Sequence, residues 1–175
     1  MKKSVLITAI SGTGKSTVCK ALHTMGYDAI DIESVDGLYE LVNEKTGEVI
    51  PGNLEQISEG VDWNCNKLRL EKLIASQTSE LTFYCGGMSN TFEVWDVFDL
   101  VIMLTISDEA TIKRLSTRQS GEFGSTAVNK DWVLSWKHSF EKRLLDAGAA
   151  PVNAEGAPQE VTKLILGVVD IRPLS

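Results

Sequence analysis

The 175-residue sequence predicts a single three-layer α/β/α domain, a parallel sheet covered by helices on both faces. Three observations carry this. Short apolar runs alternate with segments of helical periodicity along the chain, without internal repeat, low-complexity tract or linker. The most strand-like run, DLVIMLT at 99–105, is apolar almost throughout, as a strand buried on both faces must be. The first strand leads straight into AISGTGKST at 9–17, a glycine-rich stretch followed at once by a helical pattern.

Residues 5–10 form the first predicted strand. After the glycine-rich stretch, Val18, Ala21, Leu22 and Met25 fall at i, i+3, i+4 and i+7 of a helix, and Gly26 sits where a C-terminal cap belongs. A loop between a buried strand and a helix N-terminus is the context a phosphate-binding loop requires. Gly12 and Gly14 let backbone N–H groups turn inward around an anion, and the helix start adds partial positive charge. Ser11, Gly12, Thr13, Gly14, Lys15, Ser16 and Thr17 are the predicted nucleotide contacts. Lys15 is placed to reach the β- and γ-phosphates of ATP, and the Ser16 hydroxyl to bind Mg²⁺. The pattern G-x-x-x-x-G-K-[ST] has Ala9 at its first position, which works only if φ is negative there. The plain alternative is a Gly/Ser-rich turn that contains a lysine.

A second strand is predicted at 27–32 and a helix at 34–44, weakened by Gly37. Residues 45–53, with two glycines and Pro51, read as a loop. A helix follows over 64–77 with Leu70, Leu73 and Ile74 inward, then a third strand at 81–85, stopped by Gly86-Gly87. After the 99–105 strand, Ser107 caps a helix that runs to about 118, with Asp108 and Glu109 in its first turn. Residues 120–126 carry Gly121 and Gly124 and read as a mobile loop. The long helix over 129–147 buries Val133, Trp136, Phe140 and Leu144 and ends at Gly148. A strand at 150–153 and a helix over 159–168 close the domain. Ligands of such a sheet bind at the C-terminal strand ends.

Composition narrows the partners. The net charge is −7 and the pI about 4.9, which argues against nucleic acid or an anionic membrane surface as main partner. An anionic substrate must be met by a few placed cations. Cys19, Cys65 and Cys85 are widely spaced and suggest neither a disulfide framework nor zinc, so a reduced, cytoplasmic setting is expected. Met1-Lys2-Lys3 and the apolar residues after it imitate a signal peptide, but the run is short and flows into the glycine-rich loop. Nothing approaches a membrane span.

Several side chains could carry chemistry. Asp31 and Glu33 end the second strand, beside the loop in a doubly wound sheet, with Asp36 as a third candidate. A carboxylate there could hold Mg²⁺, Asp31 above all, or take a proton from a hydroxyl nucleophile. Alternatively the three favour a helix N-terminus. Arg114 and Arg118, at i and i+4, are candidates to clamp a transferring phosphoryl group, or are solvated surface residues. Arg143 lies on the apolar side of its helix and either snorkels or reaches into a site. Gly86 and Gly87 allow close approach to a ligand, and Ser89 and Asn90 could hydrogen-bond an acceptor. Trp63 could stack on a ring or anchor the core. Glu33, Trp63, Gly86, Gly87 and Asn90 are thus the predicted acceptor side. His23 and His138 are assigned to structure.

The order of these features resembles the small P-loop kinases, the nucleoside-monophosphate-kinase-like group that includes adenylate, shikimate and gluconate kinases. The features are the phosphate loop, an acid after strand two, Gly-Gly after strand three, and R-L-x-x-R (Arg114 to Arg118) before a glycine-rich loop. The resemblance covers nearly the whole chain. It implies a five-stranded parallel sheet in the order 2-3-1-4-5, a lid at about 119–128 flanked by Arg114 and Arg118, and a phosphate contact from Arg143. Cys85-Gly86-Gly87 is closer to the Gly-Gly-Gly of shikimate kinases than to the Asp-Gly-x-Pro-Arg of adenylate-type kinases. The shikimate-type Asp-x-Asp appears as Asp31-Ile32-Glu33, and Phe-Arg-x-x-Glu is absent. The expectation is a kinase that transfers the γ-phosphoryl of Mg·ATP to a nucleotide or a small hydroxyl metabolite. The alternative is a P-loop ATPase or switch that acts through a protein partner. A GTPase is disfavoured, because Trp132 stands where the N-K-x-D motif needs its Asp.

Overall fold

A computed structural model describes residues 2–52, 60–117 and 127–171. Arg118 and nearly all of the expected lid lie outside the described residues.

The main sheet is built from β1 (Lys3–Thr8), β2 (Asp28–Asp31), β6 (Leu81–Cys85), β7 (Leu100–Thr105) and β8 (Ala150–Asn153). Its spatial order is β2-β6-β1-β7-β8 and every pairing is parallel. Numbered within this sheet alone, the order is 2-3-1-4-5, as the resemblance implies.

Helices α1 (Lys15–Thr24), α2 (Lys67–Ala75), α3 (Asp108–Ser116), α4 (Ala127–Asp146) and α5 (Pro158–Ile171) connect or flank the strands. Strand alternation divides the core in two. Val5, Ile7, Phe83 and Ile102 pack with Val18 and Leu22 of α1 and Val161 and Ile165 of α5. Leu6, Tyr84, Val101 and Met103 pack on the other side with Leu70 of α2 and Leu144 of α4. All of β7 up to Leu104 is buried, which explains its unbroken apolarity. Helix ends follow local chemistry. The Ser107 hydroxyl accepts from Ala110 N–H at 3.2 Å, and Gly26 and Gly148 leave their helices at φ 90° and 100°.

The region between β2 and α2 corrects the sequence reading. The expected helix at 34–44 is absent. Residues 32–34 form one 3₁₀ turn, Gly37 takes φ 67°, and the chain then enters β3 (Tyr39–Asn43). The expected 45–53 loop holds β4 (Val49–Ile50), and the start of the expected 64–77 helix is instead β5 (Val61–Cys65). These strands form an antiparallel sheet in the order β4-β3-β5. Asn43 makes the first turn, its Oδ1 accepting from the N–H groups of Lys45 and Thr46 at 2.9 and 3.1 Å. The pattern of β3 is period two: Leu41 is buried and pairs with Trp63, while Tyr39 pairs with Cys65, so these four share a face. Asn66 then caps α2 by accepting from Arg69 N–H.

Candidate functional site

The loop between β1 and α1 lies at the C-terminal edge of the main sheet, where strands β6 and β7 flank β1. The chain passes from β1 to β2 on one side of the sheet and from β6 across to β7 on the other, which opens a crevice at this edge. Gly12 and Gly14 adopt φ 86° and 105°, values that suit residues without a Cβ. Every described non-glycine residue has negative φ, so Ala9 meets the condition set by its sequence position. Thr13 Oγ1 donates to Ile10 O at 3.0 Å and pins the loop. The first backbone N–H of the helix to find a carbonyl is that of Val18, bonded to Gly14 O at 3.0 Å. Among the described residues, the N–H groups from Gly12 to Thr17 have no acceptor and remain available to an anion.

Lys15 is poised below this cradle. Its Nζ donates to Ala9 O at 3.2 Å and lies 3.6 Å from Glu33 Oε1. Glu33 Oε1 also accepts from Gly87 N–H at 2.5 Å. A Cβ on Gly87 would stand 3.3 Å from Lys15 Nζ and 3.2 Å from Ala9 O, so the glycine permits this close packing. Three predicted residues, Lys15, Glu33 and Gly87, therefore meet at one point.

Asp31 ends β2 with a carboxylate that accepts no hydrogen bond among the described residues, although its backbone carbonyl accepts from the Ser34 hydroxyl at 2.7 Å. Its charge helps to raise the pKa of the Cys85 thiol and works against ionisation of Cys19. Cys19 lies one turn beyond Ser16 on α1. The Ser16 hydroxyl is exposed and likewise uncommitted. Two unspent oxygen donors of this kind fit Mg²⁺, a hard cation that keeps several waters and needs few protein ligands. No group of three or more His, Cys, Asp or Glu side chains that could hold a metal ion is present among the described residues.

Arg114 is brought to the loop, yet its guanidinium is spent on backbone. Nη1 donates to Thr13 O and Nη2 to Ala154 O, each at 2.7 Å. It joins the phosphate loop to the turn after β8. That turn is held in addition by Glu155, which accepts from Ser107 N–H at 2.7 Å and whose carboxyl lies below the usual range chiefly because of that bond.

On the acceptor side, Trp63 stacks on Tyr39 with ring centroids 5.0 Å apart and planes at 12°. Ser89 fixes the Trp63 backbone, donating N–H to its carbonyl at 2.8 Å and accepting its N–H at 3.0 Å. Asn90 was expected to touch an acceptor. Both ends of its amide are instead committed to Cys65, accepting from its N–H at 2.9 Å and donating to its carbonyl at 3.0 Å. Asn90 thereby struts the antiparallel sheet against the strand β6 tip. Gly86 has a packing reason too, since a Cβ there would come within 2.5 Å of Ile32 and 2.9 Å of Tyr39 Oη.

Arg143 meets the segment that follows β6. Its Cζ stands 4.5 Å over the Phe92 ring. Val133, which packs on Ile10, is ten residues earlier on α4, about 15 Å along the axis.

Sequence reasoning missed Tyr39. Its hydroxyl is buried without a partner, and its pKa is pushed well above the ordinary value by burial first, then by Cys65, Glu33 and Asp31. The alternation that places it, Tyr39-Leu41-Asn43 after a positive-φ glycine, was legible only as a strand. It also missed Lys137, a buried cation 3.0 Å from Asp108 and 3.4 Å from Glu141, which joins α4 to the start of α3.

A family model described as an AAA domain matches residues 5–129. Protein MalY of Escherichia coli (strain K12) is 29% identical over 140 residues, 75% of this chain and 33% of MalY. A nucleotide-binding protein of Coprothermobacter proteolyticus is 48% identical over 42 residues, 24% of this chain and 14% of that protein. The chain thus spans a third or less of the curated relatives it matches. Among solved structures, a gluconokinase from Sinorhizobium meliloti 1021 aligns with TM-score 0.61 at 16% identity, over 96% of this chain and 91% of that one. Shikimate kinase from Acinetobacter baumannii, in complex with shikimate, aligns with TM-score 0.61 at 17% identity, over 100% and 97%. A deoxyadenosine kinase from M. mycoides aligns with TM-score 0.52 at 14% identity, over 95% and 98%. The fold is the one these small P-loop kinases share.

Proposed function

The chain belongs to the AAA-domain family, and from that premise we propose that it is a Mg·ATP-dependent phosphotransferase acting on a small hydroxyl-bearing acceptor. One observation carries the reading: the unspent N–H groups from Gly12 to Thr17 curve over Lys15, which waits against Glu33 and Gly87. That arrangement offers donors and a cation for the β- and γ-phosphates beside two carboxylates at the tip of β2.

In this reading the loop N–H groups and Lys15 hold the triphosphate, and Ser16, with Asp31 through water, would hold Mg²⁺. Held there, Mg²⁺ would supply neutralisation of the charge that develops on the transferring phosphoryl group. The acceptor oxygen forms a bond to the γ-phosphorus as the bond to the β–γ bridging oxygen breaks, and ADP leaves with that electron pair. The hydroxyl proton passes to the Asp31 carboxylate. Glu33 holds Lys15 in place and anchors Gly87. Arg114 positions the loop rather than touching phosphate. Catalysis is then positioning and charge stabilisation, with no covalent enzyme intermediate. Arg118 remains a proposed clamp on sequence grounds alone.

The test is ADP production with Mg·ATP against nucleosides, nucleoside monophosphates, shikimate, gluconate and other hydroxyl compounds, with Lys15→Ala as control. An acceptor that raises the rate well above background, with the variant inactive, supports the proposal. ATP binding with a rate that no acceptor changes overturns it.

The family description and the printed name of the Coprothermobacter relative favour a second reading, a nucleotide-binding ATPase that acts through a protein partner. It predicts slow, Lys15-dependent hydrolysis that responds to a macromolecule and to no small acceptor.

A further inference from the structure

We infer that Cys19 and Cys85 form a reversible disulfide that disarms the phosphate loop when the protein meets a hydroperoxide. Such a switch lies beyond the proposed reaction and rests only on its nucleotide-binding loop, so it belongs to the kinase and the ATPase reading alike.

The two thiols are far apart in the chain, and the fold joins them. Cys19 lies on α1 and Cys85 ends β6, and both are buried in the core layer between the sheet and α1. Their side chains share a hydrogen bond. Cys65 belongs to the layer on the other side of the sheet. Thiols already in contact need little motion to bond, because a disulfide asks above all for adjacent sulfurs.

Position gives the pair its consequence. Lys15 and Cys19 stand at i and i+4 on α1, so they share one face of the helix. Cys85 and Gly87 stand at i and i+2, on one side of a chain that stays paired to β1 through the bond from Gly86 N–H to Ile7 O. The two elements therefore meet in two rungs. In the first, a Cβ on Gly87 would stand 3.3 Å from Lys15 Nζ. In the second, one helical turn deeper, Cys19 meets Cys85. Bonding contracts the second rung, since the sulfurs of a disulfide are about 2.05 Å apart. The first rung has no room to absorb this, because Gly87 N–H and Lys15 Nζ already converge on Glu33 Oε1. Oxidation thus fastens Lys15 against Glu33 and Ala9 O, away from a triphosphate.

The pair lies just below the open edge of the sheet. Ser16, three residues before Cys19, is exposed, and Asp31, the β2 partner of Cys85, is half-buried. Cys19 is the more exposed of the two thiols, at 5% against 1%, so its sulfur attacks an oxygen of the hydroperoxide. With hydrogen peroxide the O–O bond breaks, one water leaves, and Cys19 becomes a sulfenic acid. The Cys85 sulfur then attacks the Cys19 sulfur. The S–O bond breaks, and the departing oxygen takes the Cys85 proton to leave as a second water. Two thiols lose two electrons and the peroxide gains them. An added dithiol reverses the bond by exchange.

The test treats the full chain with hydrogen peroxide, alkylates it after unfolding and maps its peptides. A Cys19–Cys85 peptide, two hydrogens lighter than its parts, should accumulate while Cys65 is recovered alkylated. The oxidised protein should bind a fluorescent ATP analogue about tenfold more weakly and recover in dithiothreitol. By reciprocity, saturating analogue should raise the midpoint potential of the pair by about 30 mV, the same tenfold. Cys19→Ala and Cys85→Ala should each bind the analogue as wild type does before treatment and lose the response, and Cys65→Ser should keep both. The wild-type peptide map decides even where a variant fails to fold. Peroxide treatment without the linked peptide, or the linked peptide with unchanged analogue binding, overturns the inference and leaves the proposed function standing. Failure of the fully reduced protein to bind the analogue overturns the loop assignment and the switch with it.

Discussion

Glu33 accepts a hydrogen bond from Gly87 N–H at 2.5 Å through the same oxygen that faces Lys15 at 3.6 Å. One carboxylate oxygen thus ties the end of β2, the tip of β6 and the phosphate-loop lysine together. The Lys15 side chain is 11% exposed, so its charge is partly desolvated and depends on that oxygen and on Ala9 O.

Lys15→Ala should lower kcat/KM for ATP by about 10³-fold or more, since a positioned cation on a phosphoryl group acts mainly in the transition state. Coupled-enzyme detection of ADP reads this, and circular dichroism should report an unchanged fold. Full activity in this variant would refute the site.

Gly12→Ala should abolish nucleotide binding. The glycine has φ 86°, and an added Cβ would stand 2.9 Å from Leu115 Cδ2. Ala9→Gly should leave binding within about twofold, because Ala9 already has an allowed conformation. Titration with a fluorescent ATP analogue distinguishes the two, and equal losses would contradict the assigned loop geometry.

Asn90→Ala removes two bonds to the Cys65 backbone. A loss of about 2–3 kcal/mol is expected in urea unfolding, because a buried donor and acceptor lose their partners. The acceptor KM should rise while the KM for ATP stays put. Asn90→Asp keeps the acceptor oxygen and should recover part of the stability.

Asp108 titrates below the usual carboxylate range, chiefly through its bond to Lys137 and then through His138. A depressed folded value stabilises the protein above the unfolded pKa and is lost as pH falls through the folded one. Wild type should therefore melt above Asp108→Asn near pH 7, and the gap should close below about pH 4. Melting curves from pH 7 to 3 measure it; a gap that widens in acid would contradict the assignment.

Burial pushes the Cys65 thiol up to about 12. In the native protein at pH 8, Cys65 should therefore resist iodoacetamide and become reactive only on unfolding, as peptide mass spectrometry can read. Rapid native labelling at that position would show that β5 opens.

The phosphate loop was legible because its chemistry is local. Glycine placement, a lysine and a following hydroxyl dictate the backbone whatever surrounds them, and β7 announced its burial by composition. The antiparallel sheet was not, since Tyr39 finds Cys65, and Leu41 finds Trp63, across more than twenty residues. Short strands with Glu and Leu read equally well as helix until that pairing is known. Asn90 was recognised as polar and near the site, but its role depends on a backbone 25 residues away. The partner of Arg143 was not legible for another reason: periodicity assigns an angle around α4 and says nothing of distance along it, so the contact with Phe92 could not be read.

The negative φ at Ala9 bears on ancestry. A position that demands no left-handed backbone can pass between glycine and alanine by a single neutral step, so the opening glycine of this motif is a poor marker of descent. Lineages of such proteins are better traced through Gly12 and Gly14, where the chain geometry leaves selection no second residue to drift toward.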